Sequence, residues 1–509
     1  MAKKMRARQQ RIAKRLDRFN FPDDLSQPMM RGKNLHFELA GRGIGTAYGG
    51  IGLVHQLVQR LDVAKEINQR LSLFKIHLPY FESDHVLNLA YNALCGAHCL
   101  EDLELRRQDE AYLNSLGADR TPDPTTAGDF CRRFKPHHIQ ALHEAFDAVR
   151  RKVWASQPAA FFEEACLYVD GILVPTTGEC KEGMDLSYKG VWGYHALVVS
   201  LGHTGEMLRL VNRPGNRPSH EGAAEQLDDA QTLCRAAGFR RIRMVGDTDF
   251  SQTEHLDRWH QQGVLFIFGL DVSPSLWMKL EELPQSAWKT LIRPPHHVPQ
   301  APLRGRRERV KQNVVEERGF KDIRQVDEWV AEMKYRPAAC HREYRLIIIR
   351  KNLLVNEPKQ NRLFSDYKYF VYITNDETMT PTEVVFSAND RCDHENKLAQ
   401  LRALRALHAP LNTLLSNWAY MLITSLAWNL KAWMALSLPA SPGRWHEKHI
   451  QEKDRLLRME FRTFVNAFLR IPCQVVRTGR KIVHRLLAWN HWQPAFFRLA
   501  AHLARPLRC

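Results

Sequence analysis

The stretch 166–268 constrains the fold more than any other part of the chain. Residues 166–174 form an apolar, β-branched run that reads as a buried strand. Residues 194–201 and 206–211 read as two more strands, joined through the His203-Thr-Gly205 turn into a hairpin. A helix is expected over 220–237, stopped by Gly238, and then a strand over 241–245. A second helix over 252–262 is stopped by Gly263 and followed by a strand over 264–268. Parallel strands linked by crossover helices predict a mixed five-stranded sheet covered on both faces.

Three strands, helix, strand, helix, strand is the order of an RNase H-like fold. The acids stand out against it. Asp170 lies inside the first apolar strand, where a charge is expensive unless paired or metal-bound. Asp247 directly follows the fourth strand in Gly246-Asp-Thr-Asp-Phe250, with Asp249 as a competitor for its role. A further helix, expected over 394–407, begins with Glu395. Carboxylates are the proper ligands of Mg²⁺. Two such ions, about 3.5–4 Å apart, activate an attacking oxygen and stabilise the leaving one in phosphodiester displacement. Mn²⁺ is an expected substitute. His394, beside Glu395, is open to a tuning, capping or surface role.

The remaining sequence divides around this core. Residues 1–40 read as a flexible basic arm and 41–155 as a helical, DNA-binding domain. In that domain a helix is expected over 51–71, and others are capped by Ser83 and by Thr125 or Thr126. The core's first part spans 156–271 and its last part 386–440, separated by a β-rich insertion at 272–385 with strands over 344–349 and 367–374. Residues 441–509 read as a basic helical region.

The charge balance points to a polyanion. Lys and Arg number 73 against 56 Asp and Glu, a net +17, and no acid follows Glu460. Such an excess favours a phosphate-rich partner, because each contact releases condensed counterions. Arg304, Arg306 and Arg307 form a basic cluster in the insertion, and Lys189 lies in the loop between the first two strands. All are candidate DNA contacts, with a solvated lysine the plainer reading of Lys189. The ten cysteines form no repeated CxxC pairs, so reduced thiols and no structural zinc are expected. No signal peptide is visible. The apolar stretch 418–438 carries Asn429 and Lys431 near its middle, which favours a buried helix over a membrane span. A cytoplasmic protein without membrane contact is expected.

Five stretches carry a resemblance: Tyr168-Val-Asp-Gly171, Gly193-Tyr-His-Ala-Leu197, Gly246-Asp-Thr-Asp-Phe-Ser251, Arg391-Cys-Asp-His-Glu-Asn396, and Ser416-Asn-Trp-Ala-Tyr420 with Ala427-Trp-Asn-Leu-Lys-Ala-Trp433. With them the chain resembles the DDE transposases of bacterial insertion sequences, close to insertion sequence (IS) family 1380 within the IS4-like group. The resemblance implies that Asp170, Asp247 and Glu395 are the DDE triad. Related enzymes carry a Tyr-x2-Arg-x3-Glu-x6-Lys signature; here Arg391 and Glu395 match, Ala388 replaces the Tyr, and Arg402 replaces the Lys. Arg391 and Arg402 are therefore candidate phosphate contacts. Such families place an aromatic from the insertion against a flipped base, and Trp277, Trp288 and Trp329 are candidates, each also a natural core residue.

The expected function is cleavage at terminal inverted repeats and strand transfer into target DNA by a homodimer assembled on DNA. An RNase H-like nuclease without strand transfer, or a non-catalytic DNA-binding relic, are the alternatives.

Overall fold

The computed structural model describes residues 2–17, 45–76, 79–178, 180–292, 322–356, 364–478 and 481–504. The expected basic cluster at Arg304, Arg306 and Arg307 lies outside the described residues, as do residues 1 and 18–40 of the expected arm. The start of that arm is a helix, Ala2–Asp17.

The described residues form thirteen strands: β1 Gly45–Thr46, β2 Glu164–Pro175, β3 Asp185–Leu186, β4 Trp192–Leu201, β5 Met207–Val211, β6 Arg241–Gly246, β7 Leu265–Leu270, β8 Lys289–Thr290, β9 Asp322–Tyr335, β10 Tyr344–Asn356, β11 Phe364–Thr374, β12 Cys473–Thr478 and β13 Lys481–Leu486. Ten of them make one mixed sheet in the order β3-β4-β2-β6-β7-β11-β10-β9-β8, with β5 also paired to β4. β2 is parallel to β6, and β6 to β7. The helix Ala223–Ala237 makes the crossover between β5 and β6, ended by Gly238 in the left-handed region at φ 99°.

The sheet is larger than the expected five strands. The β-rich segment does not fold apart from the core: β11 pairs antiparallel with β7 over 267–270, so β8 to β11 extend the same sheet. β9 is an additional long strand there, fourteen residues in length.

The expected helix over 51–71 is two helices, Ile51–Arg60 and Val63–Arg70, broken at Asp62 with φ 55°. Ser83 lies inside the helix Glu82–Leu94 rather than capping it; Asp84 accepts from the Phe81 amide at 2.8 Å instead. Asp123, not a threonine, caps the helix Pro124–Arg132 by accepting from the Thr126 amide at 2.9 Å.

The region after 440 is not all helical. β12 and β13 form a hairpin, and β1 adds to it as a third strand. Val475, Val476, Ile482 and Val483 supply the β-branched residues that favour this pairing. The backbone of 469–471 runs close over Gly49 and Gly50, whose amides donate to Ile471 O at 2.9 Å and Leu469 O at 3.2 Å. A Cβ on Gly50 would lie 1.6 Å from the Phe468 carbonyl oxygen, so only glycine fits there.

The helix Leu414–Leu436 is almost wholly buried. Asn429 acts as a backbone surrogate for β5, accepting from the Met207 amide at 2.9 Å and donating to its carbonyl at 3.1 Å. Lys431 donates to Leu457 O at 3.0 Å. These polar groups are satisfied inside the protein, and no described helix is long and apolar enough to cross a membrane.

Candidate active site

The site forms where three elements of different chain segments meet. Asp170 is central in β2, and its Oδ1 accepts from the Gly171 amide at 2.8 Å. Asp247 follows β6, the parallel neighbour of β2, and its carboxylate caps a short turn by accepting from the Asp249 amide at 3.0 Å. Gly269 on β7 makes room for that turn, since a Cβ there would lie 2.7 Å from the Thr248 amide nitrogen. Glu395 lies on the helix Arg391–Ala403, which packs on β2 with Leu398 and Leu401 buried beneath it.

His394 fixes that helix. It is 1% exposed, its Nδ1 lies 2.7 Å from Ser200 Oγ on β4, and its ring stacks on Tyr168 of β2. Burial pushes its pKa down to about 3, so the ring is neutral. Of the roles left open for it, neither a surface position nor an N-cap describes it; it is a buried pin. Lys397 adds a bond to Gly202 O at 3.0 Å.

The three acids converge on one cation. Arg391 Nη1 lies 3.3 Å from Asp170 Oδ2 and 3.8 Å from Asp247 Oδ2, while Nη2 lies 2.8 Å from Glu395 Oε1. Arg391 and Glu395 are four residues apart and so share one helix face. The acids sit at graded depth: side-chain exposure is 14% for Asp170, 32% for Asp247 and 50% for Glu395. Burial pushes the Asp170 carboxyl up to about 7, opposed by Arg391 and reinforced by Asp247. Asp247 is also raised, again chiefly by burial. Asp249 is exposed; its amide donates to Asp247, and its negative charge adds to the rise of the Asp247 carboxyl.

Among the described residues no three His, Cys, Asp or Glu side chains are spaced to hold one ion. The Arg391 guanidinium stands between the acids. The donor set still suits a hard divalent cation, because three clustered carboxylates against one arginine leave excess negative charge.

Two other expected DNA contacts, Lys189 and Arg402, are exposed. Lys189 is exposed in the turn between β3 and β4, its Nζ 5.2 Å from the Tyr188 ring centroid. Arg402 is exposed two helical turns beyond Glu395. The aromatic candidates separate. Trp277 is 49% exposed on the helix Pro274–Glu281, and Trp288 is buried. Trp288, Trp329 and Tyr367 surround Arg350, with the guanidinium carbon 4.2, 4.9 and 5.2 Å from their centroids. Sequence reasoning missed Arg350 and Tyr367. Only the pairing of β10 between β9 and β11 brings them to the tryptophans.

Cys95, Cys99, Cys131, Cys166, Cys180, Cys234, Cys340 and Cys473 are free thiols.

A family model described as Transposase DDE domain group 1 matches residues 27–507. The chain belongs to this DDE transposase family. It is a DNA transposase, a DNA-binding enzyme that breaks and joins phosphodiester bonds, and enzymes of this family generally use divalent metal ions. No curated protein matches the transposase. Among solved structures it is similar to a chain of the "Cryo-EM structure of piggyBac transposase synaptic complex with hairpin DNA (SNHP)", covering 92% of this chain and 89% of that one at 11% identity. The TM-score is 0.35.

Proposed function

We propose that Asp170, Asp247 and Glu395 are the DDE triad of this transposase and that they hold two Mg²⁺ ions, replaceable by Mn²⁺. The observation that carries the reading is the convergence of these three acids, from β2, the end of β6 and a later helix, around one guanidinium. The neighbouring order β5-β4-β2-β6-β7, with β2, β6 and β7 parallel, supports an RNase H-like core. Divalent cations bound there supply charge neutralisation for the attacking and leaving oxygens of the phosphodiester. The protein's own part is to position the phosphate: Arg391, beside the acids, is the group to hold its non-bridging oxygens in a bidentate grip. Lys189, Arg402 and the Arg304, Arg306 and Arg307 cluster are read as contacts to DNA flanking the site.

On this reading the enzyme cuts at terminal inverted repeats and joins the ends to target DNA, as a homodimer bridging two ends. Its motifs support an origin in bacterial insertion sequences of IS family 1380, with activity on the nucleoid in the cytoplasm.

The test is an end-cleavage and strand-transfer assay on labelled linear DNA carrying the element's ends, with Mg²⁺ or Mn²⁺. Wild-type protein should cut and join, whereas Glu395→Gln should bind the same DNA and do neither. Cutting without joining would reduce the enzyme to a nuclease. Unimpaired cutting by Glu395→Gln would remove it from the triad.

A further inference from the structure

Arg391 does more in this structure than a phosphate contact requires. Its two terminal nitrogens reach all three acids at 2.8, 3.3 and 3.8 Å, so it occupies the space between them. A Mg²⁺ ion needs its oxygens at about 2.0–2.1 Å in near-octahedral array. A guanidinium lodged among the same carboxylates both spreads those oxygens and repels a second positive charge. The two occupants exclude each other.

We propose that Arg391 is an exchangeable latch: in the DNA-free protein it holds the acidic pocket closed to divalent cations, and it leaves the acids for the substrate phosphate, so that the cations enter with DNA. This rests on reading the three acids as metal ligands.

Three features make the exchange physically reasonable. First, carboxylate and phosphate present the same paired-oxygen geometry to the planar five-donor fork, so leaving one for the other preserves its hydrogen bonds. Second, Arg391 is the first residue of its helix, directly after the junction with the helix Pro381–Asn389, and its side chain is 24% exposed. It has a solvent side to swing toward without unpacking the helix, which Leu398, Leu401 and His394 hold by their own contacts. Third, the deepest acid cannot follow it: Asp170 is held in the middle of β2, paired with Val198 of β4, and its Oδ1 accepts from the Gly171 amide. When the guanidinium leaves, the carboxylates remain together with no counter-charge, which is the condition for cation uptake.

The test reads metal binding, independent of catalysis. Mn²⁺ is titrated into DNA-free wild-type protein, Arg391→Gln and Arg391→Lys, and free Mn²⁺ is followed by electron paramagnetic resonance. The latch requires Arg391→Gln to bind Mn²⁺ at least about tenfold more tightly than wild type, and an added Asp170→Asn change to remove that gain. Wild type should gain a comparable factor when a duplex bearing the element's end is added. Arg391→Lys keeps the charge as a point that cannot span three carboxylates, and should bind more tightly than wild type. It decides the matter if Arg391→Gln does not fold. Equal Mn²⁺ affinity of the variants and wild type without DNA overturns the latch while leaving the acids as metal ligands. Absence of Mn²⁺ binding in every form, DNA-bound wild type included, overturns the acid site and the latch with it.

Discussion

Trp433 donates a 2.8 Å hydrogen bond to Glu206 across 227 residues of chain. The same carboxylate, fully buried, accepts from Trp154 Nε1 at 2.8 Å and pairs with Arg150 Nε at 3.1 Å. Glu206 thus ties the helix Pro136–Ala155 and the helix Leu414–Leu436 to the edge of β5. Breaking one side of a buried ion pair costs about 3–5 kcal/mol. Glu206→Gln should lower the unfolding free energy by that order in a urea titration; a change below about 1 kcal/mol would mean that packing alone holds the junction.

Asp170 presents the opposite balance. Its carboxyl is disfavoured as an anion, since burial pushes it up to about 7. Asp170→Asn removes that burden while preserving shape. The variant should melt at or above the wild-type temperature by calorimetry and lose DNA cleavage by about a thousandfold or more. A folded variant that retains cleavage would show that this carboxylate is no ligand.

Lys431 is a second strained charge. Burial lowers its amine from the ordinary 10.5 to about 7. Because the folded value lies below the unfolded one, the unfolded chain binds more protons between those values, and stability rises with pH across that window. Lys431→Met should therefore stabilise the protein at pH 7 by about 1–2 kcal/mol, with the gain shrinking toward pH 10. Thermal melts of both proteins at several pH values measure this.

Buried histidines govern the acid side. His143 is held near 3 and His85 near 4, each chiefly by burial. Both are neutral in the fold but take up protons around pH 6.5 once unfolded, so their contribution is complete above 6.5 and is lost as the pH falls. The melting temperature should drop between pH 7 and pH 5. His85 stacks on Phe130 at 4.4 Å, and His85→Phe should make that drop shallower. An unchanged slope would put the acid sensitivity elsewhere.

The sequence is most informative where burial and local periodicity coincide. The strands and helices of 164–270 are close to their expected places, because each carries its own apolar signal and a glycine stop such as Gly238 or Gly263. β9 is hidden because charged residues interrupt it, as in Asp327-Glu-Trp-Val-Ala-Glu-Met-Lys334. Asp62 breaks a continuous helical pattern through a left-handed backbone that nothing in the neighbouring residues announces. In the site, Asp170 declares itself as a charge in an apolar strand, and Arg391 and Glu395 through the signature they share with related transposases. That Arg391 lies among all three acids is a tertiary fact, set by how the helix is pinned to β2 and β4. The hairpin at 473–486 carries a local signal, the β-branched Val475, Val476, Ile482 and Val483, which the basic helical reading of 441–509 passes over.

The pairing of Thr46 with Cys473 has a bearing on how the polypeptide matures. During synthesis the early helices leave the ribosome long before β12 exists, and domains otherwise tend to fold in order of emergence. Here the backbone groups of Gly45 and Thr46, and the groove over Gly49 and Gly50, wait for a clasp that is translated hundreds of residues later. Closure of this seam is a post-translational event. A prematurely terminated product lacking the clasp would present an unfinished edge to the cell's quality-control proteases, which would limit the lifetime of truncated copies.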